Sequence, residues 1–391
     1  MNTLRTPAGV SDIYGKDCIL KAHTTDAIKK VCHSFGYSEI QTPAFEYLEV
    51  FGDDMSIPTD EAIKFIDSNG KILALRPDFT TSISRAVATH FADSPLPLRL
   101  WYSGNVYRSG EAYKSAKKRE FAQAGVELIG VNTPEADAEV IALTINALSE
   151  AGLEDFQIEL SHSDFLQGIM EDCSLSEKDS EALRSLIDKK FAIGIEEFCA
   201  SHNITGTNYE ILTEISLFFG DGEEVLSKYR SMTLNPVSKN AVDDLCRVYS
   251  ILKAYNLEKY ITVDLGQVRS FRYYTGVIFR ALTTSSAFPI CGGGRYNTLG
   301  RRFDLDLPAT GVAFWIDRLA DAILRANSSL SLNNCPDAII FTSEENRAEA
   351  YKLAQSLREE GKRVVLDVTA QSEEDAKKSA RERSITNIYF V

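Results

Sequence analysis

The chain has 391 residues, 44% apolar and 25% charged, with 42 basic and 56 acidic side chains giving a formal charge of −14. That composition supports a sizeable core and, at roughly 100–200 residues per domain, two or three domains. It argues against broad nucleic-acid binding, which needs Lys/Arg surfaces that release counterions, while leaving room for a local basic patch. No apolar run approaches the ~18 residues of a membrane span, and residues 1–20 carry Pro7, Asp12 and Asp17 without an apolar block, so the expectation is a cytoplasmic chain with no secretory signal and no membrane partner.

Residues 16–36 read as a helix, with Ile28, Val31 and Phe35 at helical spacing and Gly36 as its stop. Tyr37 to Pro43 reads as an extended segment closed by proline. Residues 71–76 read as a strand and 80–91 as a helix. From Leu98, apolar and polar residues alternate. A basic, polar stretch runs from Ser109 to Arg119, and an apolar run ends at Ile129. Together these predict an antiparallel hairpin with a long loop, and long loops are often functional.

Thr133 and Pro134 open the next helix as cap and first residue, with Gly152 at its end. Phe156–Leu160 follows as a strand. Residues 164–257 read as a helical insertion, in which Ser176 and Asp179 resemble a capping box. Strands are expected at 261–265 and 273–280, a glycine-rich turn at Gly292–Gly294, and a helix over 311–326. After a polar linker, Asn327 to Asn334, residues 335–391 alternate strand and helix and stop inside a third strand. The seven cysteines (18, 32, 173, 199, 246, 291, 335) are widely spaced without a C-x-x-C. With only five histidines, no metal site or cofactor is expected, and the thiols read as buried or inert.

Three clusters carry candidate chemistry. Asp78 and Thr80 offer acceptors where a strand runs into a helix start; they fit a plain helix cap equally well. Arg119, Phe121, Gln123, Gly125 and Glu127 share one strand face by parity, while Ala122, Ala124, Val126 and Leu128 take the other. A solvated sheet face and a ligand-binding floor both fit that pattern. The third cluster, Gln267 to Gly276 with Gly292 to Tyr296, sets Arg269 and Arg272 beside the tandem Tyr273 and Tyr274. It suits recognition of a carboxylate and a ring, or aromatic core packing.

Together these segments resemble the class II aminoacyl-tRNA synthetases. Pro43 in its context is similar to motif 1, Arg108 and the hairpin to motif 2, and Gly311 to Leu319 to motif 3. Arg269…Tyr273-Tyr274 and Gly293-Gly294-Arg295-Tyr296 resemble the two signatures of histidyl-tRNA synthetase, over about residues 5–325. Departures are consistent. Asp78 stands where the synthetase has Glu, and Ser109-Gly110-Glu111-Ala112-Tyr113 follows Arg108 without the usual Arg-Pro. Arg272 replaces an Asp, Asp317 replaces a Glu, and the 57-residue tail (391 − 335 + 1) is about half an anticodon-binding domain. This pattern is similar to the synthetase's paralogue, the regulatory subunit of short-form ATP phosphoribosyltransferase.

The resemblance implies an α+β fold: a class II antiparallel sheet core over residues 1–326, with a helical insertion at about 164–257 and a truncated α/β domain over 335–391. It implies a non-catalytic subunit of the first step of histidine biosynthesis, binding L-histidine for allosteric feedback. It also implies a homodimer within a hetero-octamer with the short catalytic subunit, and no tRNA. Asp78 and Thr80, helped by Gln123, would hold the ammonium and Arg269 the carboxylate. Glu127 and Tyr273 would bracket the imidazole, beside Tyr274. Arg108, Arg119, Phe121 and Arg318 would be remnants of nucleotide contacts. The competing expectation is an active histidine–tRNA ligase.

Overall fold

The structure is a computed structural model, and it describes residues 4–52, 61–109, 118–232, 234–267, 274–327, 335–367, 370 and 372–391. The chain divides into two compact units, Met1–Asp12 with Lys21–Leu330, and Ile13–Leu20 with Ser331–Val391.

Helix α1 (Lys16–Ser34) ends before Gly36, whose φ of 79° is the left-handed conformation that glycine adopts without a Cβ penalty. Strand β1 (Ser38–Glu39) follows, then a small antiparallel sheet of β2 (Phe45–Tyr47), β3 (Lys64–Ile66) and β4 (Ile72–Leu75) in the order β2-β4-β3. Helix α2 (Thr80–His90) leads to the long hairpin β5 (Leu98–Tyr107) and β6 (Glu120–Ile129). Helix α3 (Pro134–Glu150) is capped as its sequence predicts. The Thr133 hydroxyl accepts the Ala136 N–H at 3.4 Å, and Pro134 fills a position that has no intrahelical donor to lose.

After β7 (Gln157–His162) come α4 (Ser163–Asp172), α5 (Glu177–Asp188), α6 (Ala192–Ser201) and α7 (Gly206–Glu214). The short β8 (Gly220–Asp221), α8 (Gly222–Ser231) and α9 (Pro236–Ala254) complete this helical stretch. Ser176 does accept the Asp179 N–H, at 3.2 Å. The core resumes with β9 (Ile261–Val263), β10 (Val277–Leu282), β11 (Cys291–Arg295), β12 (Ala309–Trp315) and α10 (Ile316–Ala326).

The main sheet has nine strands in the order β1-β5-β6-β12-β11-β10-β7-β9-β8. Its centre is antiparallel as expected, but β1 with β5 and β7 with β9 pair in parallel, so the sheet as a whole is mixed. Two local expectations are corrected. Gly292–Gly294 is a buried strand, not a turn. A Cβ on Gly293 would collide with the Gly311 carbonyl and the Phe279 ring, so glycine is what lets β11 lie flat between its neighbours. Residues 309–315 are strand, and the helix begins only at Ile316, because Gly311 and Ala313 pair with Glu127 and Gly125 across the β12–β6 ladder. The cysteines are all free: Cys32, Cys199 and Cys291 are buried, Cys173, Cys246 and Cys335 half-buried, and Cys18 exposed.

The second unit contains a parallel three-stranded sheet, β14 (Val364–Leu366), β13 (Ala338–Phe341) and β15 (Asn387–Phe390), in that order. Ala350, Ala354 and Leu357 of α11 (Arg347–Glu359) pack on Ala338 and Ile340, and Ala380 of α12 (Glu373–Glu382) packs on Ile339. Among the described residues, no helix is long and apolar enough to cross a membrane.

Candidate functional site

The parity argument holds along β6. Phe121, Gln123, Gly125 and Glu127 face one side of the sheet, opposite Val106, Gly104, Tyr102 and Leu100 of β5 and, on β12, Trp315, Ala313 and Gly311. The register continues through Gly292 and Gly294 of β11 to Arg280 and Ile278 of β10. The middle of this face is therefore paved with glycine and alanine, and the space over Gly125 and Gly311 is taken by the Tyr102 side chain and the Glu127 carboxylate. Helix α2 and its entry segment cover one border. Phe79 stacks on Tyr102 with ring centroids 4.4 Å apart, and Ile83 and Val87 join the same apolar cluster.

Glu127 lies on this face, 2% exposed. Thr80 Oγ1 donates to its Oε1 at 2.8 Å, and the Tyr296 hydroxyl donates to its Oε2. Burial pushes the Glu127 carboxyl up to about 8. The two hydroxyl donors pull the other way, and the charge of Asp78 adds to the rise. Asp78 Oδ1 accepts the Thr81 N–H at 3.0 Å, one residue before the Phe79 cap position of α2, so this carboxylate serves the helix start. The Tyr102 hydroxyl is held well above its ordinary value, first by burial and then by the charges of Glu127 and Asp78. Gln123 is buried, and its Oε1 has no partner among the described residues.

The structure thus brings Asp78, Thr80 and Glu127 together, with Tyr274 packed against the same cluster and Gln123 on the same face. Arg269 and Tyr273 lie outside the described residues. Of the expected nucleotide remnants, Phe121 and Arg318 share a cavity of about 360 Å³ with Lys118, Phe288 and Trp315. Arg108 is buried, its Nε donating to the Pro77 carbonyl at 2.8 Å and its guanidinium 5.4 Å from the Phe121 ring. Arg119 is not among the residues lining that cavity; it is exposed, and its backbone N–H donates to the Gly9 carbonyl at 2.6 Å. Asp317 is also structural. It accepts the Ala122 N–H at 2.9 Å, with Lys21 and Lys118 at 3.1 and 3.2 Å. Burial raises its carboxyl, but these partners outweigh that and hold it below the usual range.

Two residues of the candidate site, Tyr296 and Gly311, were named from sequence only within longer motifs. Tyr296 is the second donor to Glu127, and its neighbour Arg295 points to the opposite side of the sheet. There Arg295 pairs with Asp137 at 3.0 Å and donates to the Val131 and Thr133 carbonyls, pinning the start of α3. Adjacent residues of one signature therefore serve opposite faces, as strand alternation requires. Gly311 was quoted only as part of a motif, and its role needs the β12–β6 register, which no local signal carries.

Residues 9–319 match the family described as histidyl-tRNA synthetase, and residues 338–370 match the one described as histidyl-tRNA synthetase HisZ, C-terminal domain. An ATP phosphoribosyltransferase regulatory subunit from Acetivibrio thermocellus is 40% identical over 387 residues, covering 99% of this chain and 92% of that protein. One from Clostridium kluyveri is 36% identical over 379 residues, covering 96% and 95%. A crystal structure of an ATP phosphoribosyltransferase regulatory subunit/histidyl-tRNA synthetase from Bacillus halodurans C has a TM-score of 0.88 at 32% identity, covering 99% of this chain and 98% of that one. Histidyl-tRNA synthetase from Nostoc sp. PCC 7120 has a TM-score of 0.83 at 22% identity, covering 98% and 90%, a likeness of fold alone.

Proposed function

The chain belongs to the ATP phosphoribosyltransferase regulatory subunit family, and from that premise we propose that it is a non-catalytic, histidine-sensing subunit of a two-component ATP phosphoribosyltransferase, a glycosyltransferase that opens histidine biosynthesis in the cytoplasm. The observation that carries this reading is the enclosure of Glu127. A buried carboxyl held by Thr80 and Tyr296, with Asp78 beside it on a glycine-paved floor, suits a small zwitterion that brings its own N–H groups.

In this reading the imidazole N–H of L-histidine meets Glu127, and the ammonium meets Asp78, with Thr80 and Gln123 close by. Arg269 takes the carboxylate, Tyr273 takes the second ring nitrogen, and Tyr274 closes the side. A buried acceptor left unmatched by a lookalike amino acid is what gives such a site its selectivity. Residues 1–326 form the synthetase-like core, with its insertion at 164–257, and 335–391 a shortened anticodon-binding-like domain.

The partner is the short catalytic subunit. Histidine exerts feedback if it binds two states of the assembly unequally; a typical coupling of about 1–3 kcal/mol changes affinity roughly 5- to 150-fold. The assembly is a hetero-octamer built on homodimers. Support for the homodimer comes from the β2-β4-β3 sheet, which exposes Phe45, Tyr47 and Phe65 on one face. Loss of aminoacylation is supported by Asp317, whose carboxylate is consumed by a backbone N–H and two lysines, and by the departures at Asp78 and Arg272.

The test is reconstitution with a short catalytic chain. The expected result is a complex whose phosphoribosyl transfer falls when L-histidine is added. Robust histidine-dependent ATP–pyrophosphate exchange by this chain alone would instead establish a tRNA ligase.

A further inference from the structure

One side chain interrupts the small-residue floor. Gly125, Gly292, Gly294, Gly311 and Ala313 line the face beside Glu127, yet the next inward-facing position of β12 is Trp315, directly opposite Gln123. The indole is partly buried against the cluster of Phe79, Tyr102, Phe121 and Tyr296, and its N–H has no partner among the described residues. Its inward-facing neighbours on β12, Gly311 and Ala313, are minimal, so the ring marks the end of the small-residue floor.

Trp315 also forms a wall of the 360 Å³ cavity that contains Phe121, Phe288 and Arg318. The Arg318 guanidinium lies 5.1 Å from the Trp315 ring and 5.4 Å from the Phe288 ring, and its Nη1 donates to the Pro289 carbonyl at 3.3 Å. A flat cation between two aromatic faces is a cation–π clamp. A purine base binds by stacking on aromatic rings and guanidinium planes, and in this cavity the Trp315 and Phe288 rings and the Arg318 guanidinium are turned on one another. Arg108, 5.4 Å from the Phe121 ring, is likewise engaged by the Pro77 carbonyl.

We infer that Trp315 is a specificity-determining residue: its ring ends the small-residue floor beyond Glu127 and holds Arg318 in an internal clamp, so that the site excludes a purine nucleotide. This rests on reading the Glu127 end as an amino-acid pocket. A packed aromatic side chain buries ~150–250 Å², so removing the indole opens space beside Phe121 and Arg318.

The test is titration of the full chain with a fluorescent N-methylanthraniloyl ATP in the presence of magnesium, using wild type, Trp315→Ala and Trp315→Val. The valine variant keeps strand propensity while removing the ring. Wild type is expected to show no saturable binding up to about 1 mM, and at least one variant to bind about tenfold or more below that ceiling. Saturable nucleotide binding by wild type overturns the inference without any variant being needed. So does failure of both variants to bind nucleotide. Titration of wild type with L-histidine is read separately: its failure sinks the amino-acid reading and not the role of Trp315, and its success beside silent variants sinks only the latter.

Discussion

Glu127 and Gly311 lie directly opposite each other on β6 and β12, and a Cβ on Gly311 would occupy the position of the Glu127 carboxylate. The missing side chain on one strand makes room for the buried carboxylate on the other.

Gly311→Ala is therefore expected to displace Glu127 from Thr80 and Tyr296. Overpacking at such a site costs typically about 1–3 kcal/mol. The fold survives, but L-histidine binding falls at least about tenfold. Calorimetric titration beside a thermal melt checks this, and unchanged binding contradicts it.

Glu127 also gives a signed pH prediction. Its folded value is raised from 4.5 to about 8, so the protonated carboxyl favours the folded state. Its contribution is complete below about 4.5 and is lost as pH climbs through about 8, with a slope of up to about 1.4 kcal/mol per pH unit. Glu127→Gln, which mimics the protonated form, should match wild type at pH 5 and exceed its stability above pH 8. Urea denaturation across that range tests it; parallel curves for the two proteins count against a buried neutral carboxyl.

The sequence carried more of the strand face than of the depth behind it. Parity alone placed Gln123 and Glu127 on one side of β6, and the caps at Thr133 and Ser176 were readable because their signals are local. The glycines misled where their meaning was non-local. Gly292–Gly294 looks like a turn until the close approach of β10 and β12 is known, and 311–315 looks helical until its ladder with β6 is seen. Tyr296 and Arg295 could not be told apart without knowing which side of the sheet carries Glu127.

Arg295 and Asp137 form a buried pair with side chains 6% and 7% exposed. Removing one partner strands the other charge, so Arg295→Met is expected to destabilise by about 3–5 kcal/mol, and Arg295→Met with Asp137→Leu to recover much of that. Denaturant midpoints measure it. Full additivity of the two single changes would contradict a coupled pair.

Phe45 and Phe65 are 52% and 39% exposed, with ring centroids 5.8 Å apart. If that face joins two copies, Phe45→Glu with Phe65→Glu yields a monomer in sedimentation velocity. A dimer that persists unchanged places the interface elsewhere.

Calorimetric titration of the isolated wild-type chain with L-histidine, beside Glu127→Ala, bears most directly on the whole account. It predicts one saturable site per chain, weakened about a hundredfold or more by loss of the buried acceptor. Absence of binding by wild type, or binding that Glu127→Ala leaves intact, would contradict it.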